Sequence, residues 1–220
     1  MSKGLRALIA GGLAPTCQDT LEKLMSKHPK PISDEEIEDE SELYCVNESE
    51  ISDDTLLKAI NSFSRKSSCC KMGLRAEHVQ EMVADDDTGL LLVALKRFIV
   101  HCINGKAPLS LQPFFAGANL TALSKKNNDV RPLAAGDVLR RIISKVLCNM
   151  EYSHAANYFY PLQMGVAQRA GSERIIHLTR RHYNKLKGGG DLFIMKIDLS
   201  NAFNRVSRHA MITLVRKHFP

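Results

Sequence analysis

Apolar residues recur at helical spacing along most of the chain. Leu56, Leu57, Ala59, Ile60 and Phe63 follow Thr55 in such a repeat and predict the first helix of a packed body. Gly73, Leu74 and Arg75 then lead into a helix that carries His78, Val79 and Met82. Residues 90–103 are apolar on several sides, which predicts a buried helix, and Asn104-Gly105 ends it as a left-handed C-terminal cap would. The clearest amphipathic repeat follows Asp137, a candidate N-cap. There Val138, Ile142, Val146, Leu147 and Met150 point inward, and Arg140, Arg141 and Lys145 point outward. Shorter helices are predicted over 19–27, with Thr16 or Asp19 as cap and His28-Pro29 as stop, over 174–187, and over 208–218 behind a Ser207 cap.

Three stretches depart from that period. Residues 118–123 and 130–133 read as short strands about a polar turn at Asn127-Asn128-Asp129, a hairpin. Leu192, Phe193, Ile194 and Met195, after the glycines at 188–190, read as a buried strand; Lys196 and Asp198 then share one face and Ile197 takes the other. The fold class is therefore α+β, mostly helical with a small β-hairpin, ending in one more strand and helix.

Charge changes this picture by its distribution. The 220 residues carry 30 Lys and Arg against 24 Asp and Glu, a net charge of +6. Residues 34–54 hold eleven of the acidic groups and no basic one, leaving 30 basic against 13 acidic residues elsewhere, a net of +17. A body so charged suits a polyanion, or a solvated surface. The acidic stretch itself, poor in large apolar residues, reads as a mobile linker or a frayed helix. Six irregularly spaced cysteines define neither a zinc site nor a disulfide framework, so reduced thiols in an intracellular protein, nuclear or cytoplasmic, are expected. The apolar run at 7–10 is broken by Gly11 and Gly12 and is too short for a signal peptide, and no stretch approaches the ~18 apolar residues of a membrane span.

Two constellations carry candidate chemistry. A carboxylate at the end of a buried strand is costly unless hydrogen-bonded, paired or bound to a metal. Two-metal phosphoryl-transfer sites hold their ions, about 3.5–4 Å apart, with such aspartates. Asp198 is the candidate; otherwise it is a plain helix N-terminal carboxylate ahead of the Ser200 turn. The hairpin is the second signal, because Lys125, Lys126 and Arg131 project from one tip, where ammonium and guanidinium groups can grip a triphosphate. Arg140, Arg141 and Lys145, with Arg180 and Arg181 further on, form basic helix faces that suit a nucleic-acid backbone or solubility alone.

The stretch KIDLSNAFNRV resembles the first catalytic motif of reverse transcriptases of the non-LTR retrotransposon and group II intron type, in which Ala and Phe follow an Asp by four and five residues, as Ala202 and Phe203 follow Asp198. ALSKKNNDVRPLAAGDVLRRIISKVL resembles the paired fingers motifs of that family, and Gln163 with Gly165 its Gln-x-Gly-Phe element, Val166 replacing the Phe. The resemblance spans roughly residues 62–220. Ahead of it, patterning and charge set off an N-terminal helical segment (1–33) and the acidic linker (34–54); the resemblance implies reverse-transcriptase fingers (55–187) and the start of a polymerase palm (188–220). It further implies Arg131, then Lys125 or Lys126, on the incoming nucleotide's phosphates, Asp198 on magnesium, and Phe203 against the 2′ position of the sugar. The bland alternative for Phe203 is packing under the next helix with Val206. The implied partners are an RNA template, a DNA primer and deoxynucleoside triphosphates, with two Mg2+ ions in a complete polymerase. The family's second motif, an aromatic-x-Asp-Asp turn, would lie beyond Pro220. One aspartate cannot hold two ions, so the expectation is a fragment inactive alone, or a non-catalytic nucleic-acid-binding remnant.

Overall fold

A computed structural model of the chain describes residues 12–28, 45–67, 69, 73–125, 127–187, 189 and 193–219. Within these, ten α-helices accompany one two-stranded antiparallel sheet, so the α+β class holds. The chain forms two compact units, Met1–Ile143 with Leu199–Pro220, and Ser144–Asp198. The division falls inside one helix and after Asp198.

In the first unit, helix α1 (Gln18–Ser26) starts behind Cys17, whose backbone is extended, and neither Thr16 nor Asp19 is its cap. Helix α2 (Asp53–Asn61) is capped by Ser52, whose side chain accepts from the Thr55 amide at 3.1 Å. It buries Leu56, Ala59 and Ile60, as its period predicted. Helix α3 (Ala76–Ala84) packs on α2, and Gln80 Nε2 donates to the Ile60 and Phe63 carbonyls at 2.9 and 3.2 Å. That side chain ties α3 to the last turn of α2 at Ile60 and to the chain just beyond it at Phe63.

Helix α4 (Leu90–Ile103) has the predicted bounds, and Gly105 adopts the left-handed conformation. Its burial differs from the prediction: Ile99 is buried, whereas Leu90 and Val93 are exposed. Residues apolar on several sides do not bury several sides when neighbouring elements cover only one. The cover comes partly from the end of the acidic stretch. Residues 45–54 are folded, with a 3-10 turn (Glu48–Glu50) against α4 and Ile51 fully buried. Asn104 pins Val46 by exchanging two 2.9 Å hydrogen bonds with its backbone, and Lys96 and Arg97 pair with Asp53 and Glu48. The linker expected over 34–54 is corrected for this portion; its earlier part lies outside the described residues.

Strands β1 (Ala118–Ser124) and β2 (Val130–Gly136) form the predicted hairpin, Leu123 opposite Arg131 and Ser124 opposite Val130. A third piece of chain lines the other edge of β1. Leu13 bridges Leu123, Ala14 N donates to Ala122 O at 3.0 Å, and Ser124 N donates to Gly12 O at 3.1 Å. The Asp137 side chain caps helix α6 (Val138–Met150), with Oδ1 accepting from Leu139 N at 2.8 Å and Arg140 N at 3.4 Å. Val138, Ile142 and Ile143 are buried, Val146 likewise, and Leu147, predicted to point inward, is partly exposed. At the other end of the sequence α9 (Ala202–Arg205) leads into α10 (Arg208–His218), which Ser207 caps through Ala210 N at 3.2 Å as predicted.

The second unit contains the end of α6, helix α7 (Tyr152–Phe159) and helix α8 (Gly171–Leu186). Gln168 joins the last two: its Nε2 donates to Ala156 O at 2.9 Å and its Oε1 accepts from Arg174 at 3.0 Å. Met164 is buried, and its carbonyl lies against the first residue of α8. The buried strand expected from Leu192 to Asp198 is not formed in its described part, 193–198. Residues 193–199 run as irregular chain, with Phe193 91% exposed and Ile194, Met195 and Ile197 also open to solvent. An apolar run becomes a strand only where a neighbour accepts its backbone hydrogen bonds, and none lies beside it among the described residues. No helix of the described residues is long and apolar enough to cross a membrane, and Cys17, Cys45, Cys69, Cys102 and Cys148 are free thiols.

Candidate nucleic-acid interface

The hairpin tip is the best-built part of the candidate interface. Asn128 takes a left-handed conformation, Lys125 N donates to Asp129 O at 2.8 Å, and the Asp129 side chain accepts from Val130 N at 2.8 Å. This tight closure carries Lys125 and Arg131 on exposed positions flanking one turn. Lys126 lies outside the described residues.

The tip is also held by a helix that sequence reasoning left without a role. Lys27, at the end of α1, pairs with Asp129 Oδ2 at 2.8 Å; Lys125 reaches the same oxygen at 3.4 Å. Lys23, one turn earlier, donates to Asn128 O at 2.8 Å while paired with Asp19 at 2.6 Å. The Lys27 bond, then the Val130 amide, hold the Asp129 carboxyl down at about 2, against an ordinary 3.8. A depressed pKa means that the tie contributes stability above the ordinary value and loses it as pH falls through about 2. A carbon-13 titration of this carboxyl should therefore have its midpoint near 2, and Lys27→Ala should move it up towards 3.8. The signal that could have exposed this contact is the four-residue spacing of Lys23 and Lys27, which puts both on one side of the helix end.

The turn after Asp198 reaches the same helix. Asn201, in a left-handed conformation, donates from Nδ2 to Lys27 O at 2.8 Å and accepts from Asn204 Nδ2 at 2.9 Å. Within the first unit, then, α1 contacts both the hairpin tip and the turn bearing Phe203. Phe203 is 99% exposed and Val206 is half-exposed, so the packing alternative for Phe203 is excluded. Asp198, by contrast, falls in the second unit and is exposed.

Asp198 therefore does not occupy the buried strand end that motivated a metal role. Among the described residues no group of three His, Cys, Asp or Glu side chains is placed to hold a metal ion. Among the described residues, then, Asp198 is not joined by the further acidic side chains that a two-magnesium centre needs.

The basic helix faces divide in two. Arg140 donates to Ala116 O at 2.8 Å, and Arg141 lies over the Phe63 ring, 4.9 Å from its centre. Both are drawn into packing of the first unit instead of facing outward; a guanidinium over an aromatic face is held by the ring quadrupole. Lys145 is half-buried in the second unit, whereas Arg180 and Arg181 stand exposed on α8. Of the basic residues singled out in the sequence, those that stand exposed are thus Lys125 and Arg131 on one unit and Arg180 and Arg181 on the other.

Comparison of the chain with known protein families, with curated proteins and with solved structures finds no match in any of the three.

Proposed function

We propose that this chain is the fingers and first palm segment of an RNA-directed DNA polymerase of a retroelement, and that alone it binds nucleic acid without extending it. The observation that carries this reading is the hairpin. Lys125 and Arg131 flank its tip, it precedes an Asp137-capped helix, and α1 ties it to the Asn201 turn of the KIDLSNAF stretch. In a complete polymerase of this class the tip would grip the triphosphate of an incoming deoxynucleotide, Phe203 would stand by its sugar, and template RNA and DNA primer would lie along the basic surface. Magnesium would be supplied to a site that needs carboxylates in addition to Asp198.

The wholly non-catalytic reading, a nucleic-acid-binding remnant, is favoured by one specific observation, the exposed Asp198 with no companion acidic cluster among the described residues. The two readings share a binding test. Filter binding of single-stranded RNA should weaken steeply with salt, with a log–log slope of about −0.7 for each phosphate neutralised. Arg180→Ala with Arg181→Ala should flatten that slope by about 1.4, and Arg141→Ala should leave it unchanged. A salt-independent affinity would sink both readings. Both expect the 220-residue chain in magnesium to incorporate no nucleotide, and Asp198→Ala to change neither RNA affinity nor stability. Supplying the missing carboxylates on a palm from a related polymerase should restore Asp198-dependent extension if the polymerase reading is right.

A further inference from the structure

Two lysines of α1 and one of the hairpin converge on the tip, Lys27 and Lys125 on a single carboxylate oxygen of Asp129 and Lys23 on the adjoining carbonyl of Asn128. Three ammonium groups offer nine N–H donors to this spot. Asp129 turns its other oxygen to the Val130 amide. Among the described residues, Lys23 is the one of the three that pairs with an acid other than Asp129, namely Asp19. Among the described residues, three ammonium groups therefore meet two carboxylates, Asp129 and Asp19. All of these side chains are open to solvent to some degree, where such ion pairs are weak and readily exchanged.

We infer that Lys23, Lys27 and Lys125 form a phosphate-binding site whose resident occupant is the protein's own Asp129 carboxylate, which a polyphosphate displaces. A terminal phosphate carries more charge than a carboxylate and three acceptor oxygens, so it satisfies three ammonium groups where Asp129 Oδ2 satisfies two. Lysine suits such exchange, since its ammonium group is a compact charge on a flexible stem. Asp129 then acts as a tethered competitor: it keeps the tip closed on α1 when no ligand is present and lowers the apparent affinity by the fraction of time it occupies the site. The inference rests on the reading of the hairpin tip as phosphate-facing, and adds to it the two α1 lysines and the internal anion.

The test is calorimetric titration of inorganic tripolyphosphate into the full chain and its variants. Asp129→Asn removes the charge but keeps the oxygen that accepts from Val130, so the turn stays closed; it should bind about five- to tenfold more tightly than the wild type. Lys23→Ala with Lys27→Ala, placed in the Asp129→Asn chain, should abolish that gain, with circular dichroism showing an unchanged helix content. If the α1 lysines and Asp129 prove silent while Lys125→Ala and Arg131→Ala weaken binding, the inference is overturned and the hairpin reading stands. If neither the wild type nor Asp129→Asn takes up tripolyphosphate, both the inference and the phosphate-facing role of the hairpin fall, whatever the affinity for RNA.

Discussion

Gly171→Ala should unfold the second unit. An added Cβ at this position would lie 1.7 Å from the Met164 carbonyl oxygen and 2.9 Å from its carbon, and both atoms are backbone. A flexible side chain could swing aside, but here the loop carrying Met164 or the first turn of α8 has to move. Met164 is buried and Gln168 binds both α7 and Arg174 of α8, so moving that loop disturbs the Gln168 link between the two helices. The cost should be at least about 3 kcal/mol, at the upper end for overpacking. The unit reports on itself, because Tyr152, Tyr158, Tyr160 and Tyr183 are four of the five tyrosines and the chain has no tryptophan. Tyrosine fluorescence during urea denaturation should show an early transition in the variant. A midpoint equal to that of the wild type would mean that the Met164 carbonyl is not held where it is described.

Ile51→Ala should cost the first unit about 2–5 kcal/mol, the range for deleting a fully buried aliphatic side chain with incomplete collapse around the cavity. Ile51 has no exposed surface, and it sits between the 3-10 turn on α4 and the start of α2. Leu90→Ala, on the exposed start of α4, should stay within about 0.5 kcal/mol. Hydrophobic patterning ranks these substitutions the other way, with residue 51 in an acidic linker and Leu90 in a buried helix. Thermal melts followed at 222 nm decide between them. The Ile51 variant should melt roughly 5–15 °C lower and the Leu90 variant within about 2 °C. Equal melting points for Ile51→Ala and the wild type would return the acidic segment to the status of a linker.

The elements that the sequence made legible share one property: the interactions that define them are local. Ser207 and Asp137 cap helices through amides two or three residues away. The bounds of α4 follow from an apolar repeat and a left-handed Gly105, and the hairpin from two short apolar runs about an Asn-rich turn. Candidate site residues on such elements, Lys125 and Arg131 above all, were found where local geometry was expected to leave them.

Burial and charge pairing, in contrast, depend on residues far away in the chain, and composition points both ways about them. The acidic stretch reads as a mobile linker or a frayed helix, yet Asn104, Lys96 and Arg97 supply the hydrogen bonds and cations that let residues 45–54 pack. Arg141 belonged to a basic face until Phe63, 78 positions earlier, offered its ring. The run at 193–197 had the composition of a strand, but a strand is a relation between two segments and the second is absent among the described residues. The sequence by itself determined most of the helices (though not α7), where the hairpin turns and which of its side chains are cationic. Tertiary structure alone decided that α1 closes on the hairpin tip through Asp129, that Arg140 and Arg141 serve packing, and that Asp198 stands in solvent, because each of these outcomes is set by a partner that no local pattern names.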